Sequence, residues 1–133
     1  MKKDIVRPLM DGVTIAIKLD DSSPENHWIV YVINSNDFKI DHVLVASKGY
    51  GEKKEEVQQT STLRHFYDQL EANSTQQVEL ITSEVFHLFN EYWLSYYVEG
   101  KLYDKKFTFV PGSINTENLC FIKPLNAQGI LHA

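Results

Sequence analysis

Residues 91–98 and 101–110 leave this chain the least freedom. Tyr92, Leu94 and Tyr96 alternate with Trp93, Ser95 and Tyr97, a second aromatic-rich run carries Tyr103, Phe107 and Phe109, and only Glu99-Gly100 separates the two. Alternation with a period of two sends successive side chains to opposite faces of a strand, and a short Gly-containing connection folds two such strands into an antiparallel hairpin. A two-residue turn sets Tyr92 opposite Phe107, Leu94 opposite Lys105 and Tyr96 opposite Tyr103 on one face. The other face carries Trp93 opposite Lys106, Ser95 opposite Asp104 and Tyr97 opposite Leu102. The first face reads as core and the second as solvent, with the Lys105 stem snorkelling outward. A three-residue loop with a bulge is the rival register, because Glu99 is disfavoured at positive φ.

The rest of the chain repeats the theme. In residues 13–19, Val13, Ile15, Ile17 and Leu19 alternate with Thr14, Ala16 and Lys18, the pattern of a half-buried strand. Dense turn chemistry follows at 20–26, since Asp, Ser and Asn bond their own backbone and Pro fixes φ. Residues 28–33 are apolar on both faces, as in a central strand, and 40–46 return as a partner after the turn at 34–37. Residues 52–59 are charged and polar without apolar periodicity, and read as an exposed loop or a single helical turn. Residues 62–67 and 77–82 read as strands, although Leu63, Phe66, Tyr67 and Leu70 also fit a helical face. Residues 83–90 form a corner, with Ser83 a candidate cap for a short helix. A last short strand covers 119–123, and 124–133 reads as a C-terminal tail, ordered or not.

About seven or eight short strands with turns every 8–12 residues predict one all-β domain over residues 1–133. The expected architecture is an antiparallel β-sandwich of immunoglobulin or fibronectin-like type, with a partly open barrel as the alternative. Such sandwiches place a tyrosine at one corner with its hydroxyl bonded to backbone; Tyr92 is the candidate, and a plain core aromatic is the equal alternative. The chain has 133 residues, enough for a sizeable core without staples, and its 43% apolar and 23% charged residues match globular averages.

Cysteine, hydropathy and charge narrow the function classes. Cys120 is the single cysteine, so no internal disulfide forms and a cytoplasmic protein is expected. No signal peptide is recognisable at the N-terminus and no run of about 20 apolar residues exists for a membrane helix. A net charge of −5 opposes the phosphate backbone of nucleic acids.

Motifs with chemistry are sparse, and neither a cofactor nor catalytic or metal-binding residues are expected. Cys120 has apolar neighbours and no adjacent cation, which suits a buried structural thiol better than a nucleophile. His27, His42, His65, His87 and His132 show no zinc spacing. Gly49-Tyr50-Gly51 lacks the third glycine of a dinucleotide fingerprint and suits a turn. The carboxylates, among them Asp20, Asp21, Glu55 and Glu56, read as solvated. Lys101, Lys105 and Lys106 interleave with Tyr103, Phe107 and Phe109, a pattern that can stack bases and grip phosphates.

Trp28-Ile29-Val30-Tyr31-Val32-Ile33-Asn34, Ser47-Lys48-Gly49-Tyr50, Thr60-Ser61-Thr62-Leu63-Arg64-His65 and Gly100-Lys101-Leu102-Tyr103-Asp104-Lys105-Lys106-Phe107 together resemble a family of small uncharacterised bacterial proteins, some labelled phenylalanyl-tRNA synthetase subunit alpha. The likeness spans most of the chain and implies no catalytic residues. A true alpha subunit is much longer and binds ATP through motif arginines. Here only Arg7 and Arg64 are present, and neither has the motif context, so the label reads as a naming accident. The expected function is therefore that of a non-enzymatic β-sandwich that binds a protein partner or itself. An accessory module for tRNA or single-stranded nucleic acid is the alternative, and an enzyme with a non-local site the second. The candidate interaction surface is Tyr50, Arg64 and His65, on and after a long polar loop, where tyrosine offers rigid area and arginine a planar donor fork.

Overall fold

A computed structural model describes residues 12–20, 27–53 and 56–132. Among them are ten strands: β1 (Val13–Asp20), β2 (His27–Asn34), β3 (Ile40–Lys53), β4 (Glu56–Gln59), β5 (Leu63–Leu70), β6 (Ser74–Ile81), β7 (Phe89–Val98), β8 (Lys101–Phe109), β9 (Cys120–Ile122) and β10 (Ala127–His132). They form two five-stranded antiparallel sheets. The first has the order β6-β2-β1-β10-β9; the second runs β4-β3-β7-β8, with β5 also paired to β3. The described residues contain no α-helix, only short 3-10 turns.

The alternation read from the sequence builds the core. Val13, Ile15 and Ile17 of β1, beside Val30 and Val32 of β2, face Val43, Val45, Tyr92, Leu94, Tyr96, Phe107 and Phe109 of the second sheet in one buried cluster. Two sheets closed over a shared apolar layer are a β-sandwich arrangement. β2 is apolar on both faces because Ile33, Ala16 and Ile122 form a small second cluster on the opposite face, with Leu125 against it. Asn34, fully buried, ties the layers together: its Nδ2 donates to the carbonyls of Phe38, Leu70 and Glu71, and its Oδ1 accepts from the Asn36 amide.

The β7–β8 hairpin takes the two-residue register, with Tyr92 opposite Phe107, Leu94 opposite Lys105 and Tyr96 opposite Tyr103. Glu99 and Gly100 both have positive φ, 50° and 80°, as a turn matching the strand twist requires. The rigid pairing on either side outweighs the cost of a left-handed Glu99.

Several expectations change. Ten strands are present among the described residues rather than seven or eight. Within the expected polar loop at 52–59, residues 52–53 end a 14-residue β3 and 56–59 form the short β4, with Gly51 opposite Gln58. Strand pairing is a main-chain property and polar side chains do not prevent it; Thr60, in the link between β4 and β5, is tied to β3 by its amide, which donates to the Gly49 carbonyl at 2.8 Å. The expected tail contains β10, a central strand beside β1, with Ile130 buried. Gly129 permits this approach, since a Cβ there would lie 2.6 Å from the Ile17 carbonyl oxygen. Polar Gln128 and Gly129 dilute the apolar signal in so short a strand. Cys120 is exposed, not buried, because β9 is a three-residue edge strand. The 3-10 turn Ser83–Val85 is flanked by Thr82, which makes no side-chain cap. Arg7, Asp21 and Glu55, and the turn expected at 20–26 from residue 21 onward, lie outside the described residues.

Candidate functional site

Two sites stand on opposite faces of the second sheet. The first lies between the sheets, where β6 approaches β3 and β5, and a β-bulge creates it. Opposite Val30 and Tyr31 the β6 register slips, so that Val78 is the extra residue between Gln77 and Glu79. Plain alternation puts Val78 inward and Glu79 outward; the bulge turns both inward, Val78 into the core and Glu79 into the gap between the layers. The Glu79 side chain is 12% exposed.

Three groups converge on its carboxylate. The Ser47 hydroxyl donates to Oε1 at 3.0 Å, His65 Nε2 lies 2.8 Å from the same oxygen, and the Tyr92 hydroxyl donates to Oε2 at 3.1 Å. A carboxylate accepts only, so His65 carries its proton on Nε2 and its other ring nitrogen is the acceptor in the neutral ring. Burial first, then the Glu79 charge and hydrogen bond, push the Tyr92 hydroxyl well above its ordinary pKa. Tyr67 shifts upward for the first two of these reasons. A cleft of about 300 Å³ opens beside Glu79, lined by Ser47, Gly49, Thr60, Leu63 and Leu80 among others.

This arrangement satisfies a buried acid and does not form a nucleophile relay. In such a relay the base takes the hydroxyl proton and a carboxylate orients the base; here serine and histidine donate to one shared oxygen. Of the two roles open to Tyr92, the core aromatic is the one present: it is buried and its hydroxyl reaches a carboxylate across the sheets, not the corner backbone. Glu79 also overturns the expectation that the carboxylates are all solvated. Alternation alone assigns it to the surface, and nothing in the sequence marks the bulge.

The second site is the outer face of the same sheet. Cross-strand pairing aligns Arg64, Ala46, Trp93 and Lys106 in one row across β5, β3, β7 and β8. Neighbouring rows align Phe66, Leu44, Ser95 and Asp104 on one side, and Lys48, Glu91 and Thr108 on the other. Phe66 is 58% exposed and Trp93 43%. Their surroundings are ordered: His42 stacks on Phe66 with centroids 6.2 Å apart, and Tyr50 on Phe89 at 5.4 Å. Lys106 Nζ lies 5.9 Å from the Trp93 centroid and 3.7 Å from a Glu91 oxygen. His42 holds its place through a positive φ of 49° where β3 bulges against β7.

Of the three sequence candidates, Tyr50 and Arg64 lie on this outer face and His65 on the inner one, against Glu79. Arg64 and His65 are consecutive in a strand, and period two separates them. The Lys101–Phe109 pattern also divides: Phe107 and Phe109 are core residues at 0% and 2% exposure, so these two rings present no face to a base. Trp93, paired with Lys106 already in the expected hairpin register, is the residue sequence reasoning left unassigned.

Among the described residues no three His, Cys, Asp or Glu side chains cluster to hold a metal ion, and no helix is long and apolar enough to cross a membrane. Set against known protein families, curated proteins and solved structures, the chain matches none.

Proposed function

We propose that this chain is a non-enzymatic, cytoplasmic association module of immunoglobulin-like, fibronectin-like type, and that the outer face of the second sheet docks a protein. The strand order supports the fold reading: β1, β2 and β6 share one sheet and β3, β7 and β8 the other, with β9 and β10 added beside β1. The observation that carries the function is Trp93, a large ring exposed beside the small Ala46 in a row with a cation at each end, Arg64 and Lys106. Aromatic and arginine side chains are the usual anchors of protein interfaces. The charge of this row suits a protein segment with an apolar centre and acidic flanks.

Capture from nuclease-treated and untreated cell extract tests the reading, with Trp93→Ala and Lys106→Glu alongside the native chain. A protein retained after nuclease, lost by both variants and bound more weakly at high salt is the expected result. A partner that vanishes with nuclease replaces it with nucleic-acid binding; equal capture by the native chain and both variants removes this face.

A further inference from the structure

We infer that β5 is a self-association edge: two copies of this chain pair antiparallel through Leu63–Leu70 about a two-fold axis at Phe66. The inference rests on the reading of the chain as an association module and extends it to the β5 edge of the same face, which shares Arg64 with the docking row, with a second copy as the partner.

The edges of the two sheets differ in how they are protected. A free edge exposes unpaired N–H and C=O groups, and proteins blunt such edges with short strands, lysines, bulges or inward-pointing charges. β9 has three residues and β4 four. β8 carries Lys101, Lys105 and Lys106. β6 has the bulge at Val78 and the inward Glu79. β5 is eight residues long, its register with β3 is unbroken, it contains no lysine, glycine or proline, and its two exposed charges, Arg64 and Asp68, are of opposite sign.

What β5 presents is self-complementary. Arg64, Phe66 and Asp68 are exposed and alternate with His65 and Tyr67, whose side chains turn towards β6. Arg64 and Asp68 make no ion pair or side-chain hydrogen bond among the described residues. Four residues apart on one strand, they stand about 13 Å from each other, too far to pair within one copy. A two-fold axis perpendicular to the sheet keeps outer faces together, so it must pass through a residue rather than between two. Centred on Phe66, it sets Arg64 of each copy opposite Asp68 of the other, and the two Phe66 rings opposite each other. Centred on His65 or Tyr67, it sets Arg64 opposite Phe66 or Leu70 and leaves its charge uncompensated. The Phe66-centred register alone gives two opposite-charge pairs around an aromatic pair, each a stabilising cross-strand combination. It also joins the two outer faces into one continuous surface.

Sedimentation over a concentration series, on the full chain and on Arg64→Asp, Asp68→Arg and the double swap, tests this. The native chain is expected to form a reversible dimer. Each single reversal sets like charges opposite each other twice and should raise the dissociation constant about tenfold or more; the double swap restores attraction and should recover the dimer. Unchanged thermal melting of all three variants, measured at a dilution where the native chain is monomeric, separates this from misfolding, because both positions are exposed. A native chain that stays monomeric throughout, single variants that dimerise as the native chain does, or a double swap that fails to recover would each overturn the pairing. Trp93→Ala is expected to dimerise normally. A dimer that follows the charge-swap pattern while Trp93→Ala captures the partner as well as the native chain therefore overturns the docking face alone, and loss of the charge-swap pattern with Trp93-dependent capture intact overturns the β5 edge alone.

Discussion

The inner and outer faces of the second sheet are built from similar residues and have opposite fates. Tyr92, Leu94 and Tyr96 alternate along β7 with Trp93, Ser95 and Tyr97, yet the first three lie within 2% exposure and Trp93 stands out in solvent. The difference comes from the first sheet, which covers one face and leaves the other open. An aromatic side chain contributes to stability where it is enclosed and to recognition where it is not, and residue type does not say which.

Truncation on the two faces should break the comparison most sharply. Phe107→Ala, at a fully buried position, is expected to cost about 3–5 kcal/mol in unfolding free energy. Trp93→Ala on the neighbouring strand should cost less than about 1 kcal/mol. Urea melts of both variants measure this, and equal losses would mean that the outer face is covered as well.

The Glu79 cluster sharpens the boundary between the faces, because it is polar yet enclosed. Glu79→Ala leaves the Tyr92 and Ser47 hydroxyls and His65 without their shared acceptor and is expected to cost about 1–3 kcal/mol. A loss no larger than that of Trp93→Ala would show that water replaces the carboxylate easily.

Tyr92 adds a pH signature. Its folded pKa is raised by burial and by Glu79, so the folded chain holds the phenolic proton more tightly than the unfolded one. The associated stability is fully present below the unfolded value of about 10 and falls as pH climbs towards the folded value. Tyr92→Phe should cost about 1 kcal/mol at neutral pH, one hydrogen bond, and should flatten the alkaline decline measured by urea unfolding between neutral and strongly alkaline pH. An identical decline in the variant would assign it to other groups, Tyr67 first among them.

The smallest effect is expected at Cys120. Exposed on β9, it should accept serine with a change within about 0.5 kcal/mol, and its thiol should react with a labelling reagent in the native state. Protection until unfolding would place β9 under a cover.

Legibility followed the range of the interactions involved. The hairpin register, the turn at Glu99-Gly100 and the core faces of β1 and β7 were readable because alternation and turn chemistry act over a few residues. β10 was not, since Gln128 and Gly129 carry little apolar signal and the strand exists through its pairing with β1 and β9. The 52–59 segment was misread for the same reason: its pairing with β3 is made by backbone groups that every sequence has. Tyr50, Arg64 and His65 were named from the loop and strand they sit on, and that they face two ways was not legible there.

The amino-acid sequence by itself determined an all-β chain, its strongest hairpin and the apolar residues available for a core, because these depend on period-two patterning and local backbone preference. Only the tertiary structure decided which aromatic rings are enclosed, that Glu79 turns inward at a bulge to meet Ser47, His65 and Tyr92, and that β5 pairs with β3 alone among the described strands. Each of these is set by what a distant strand covers or fails to cover, and no local pattern encodes that.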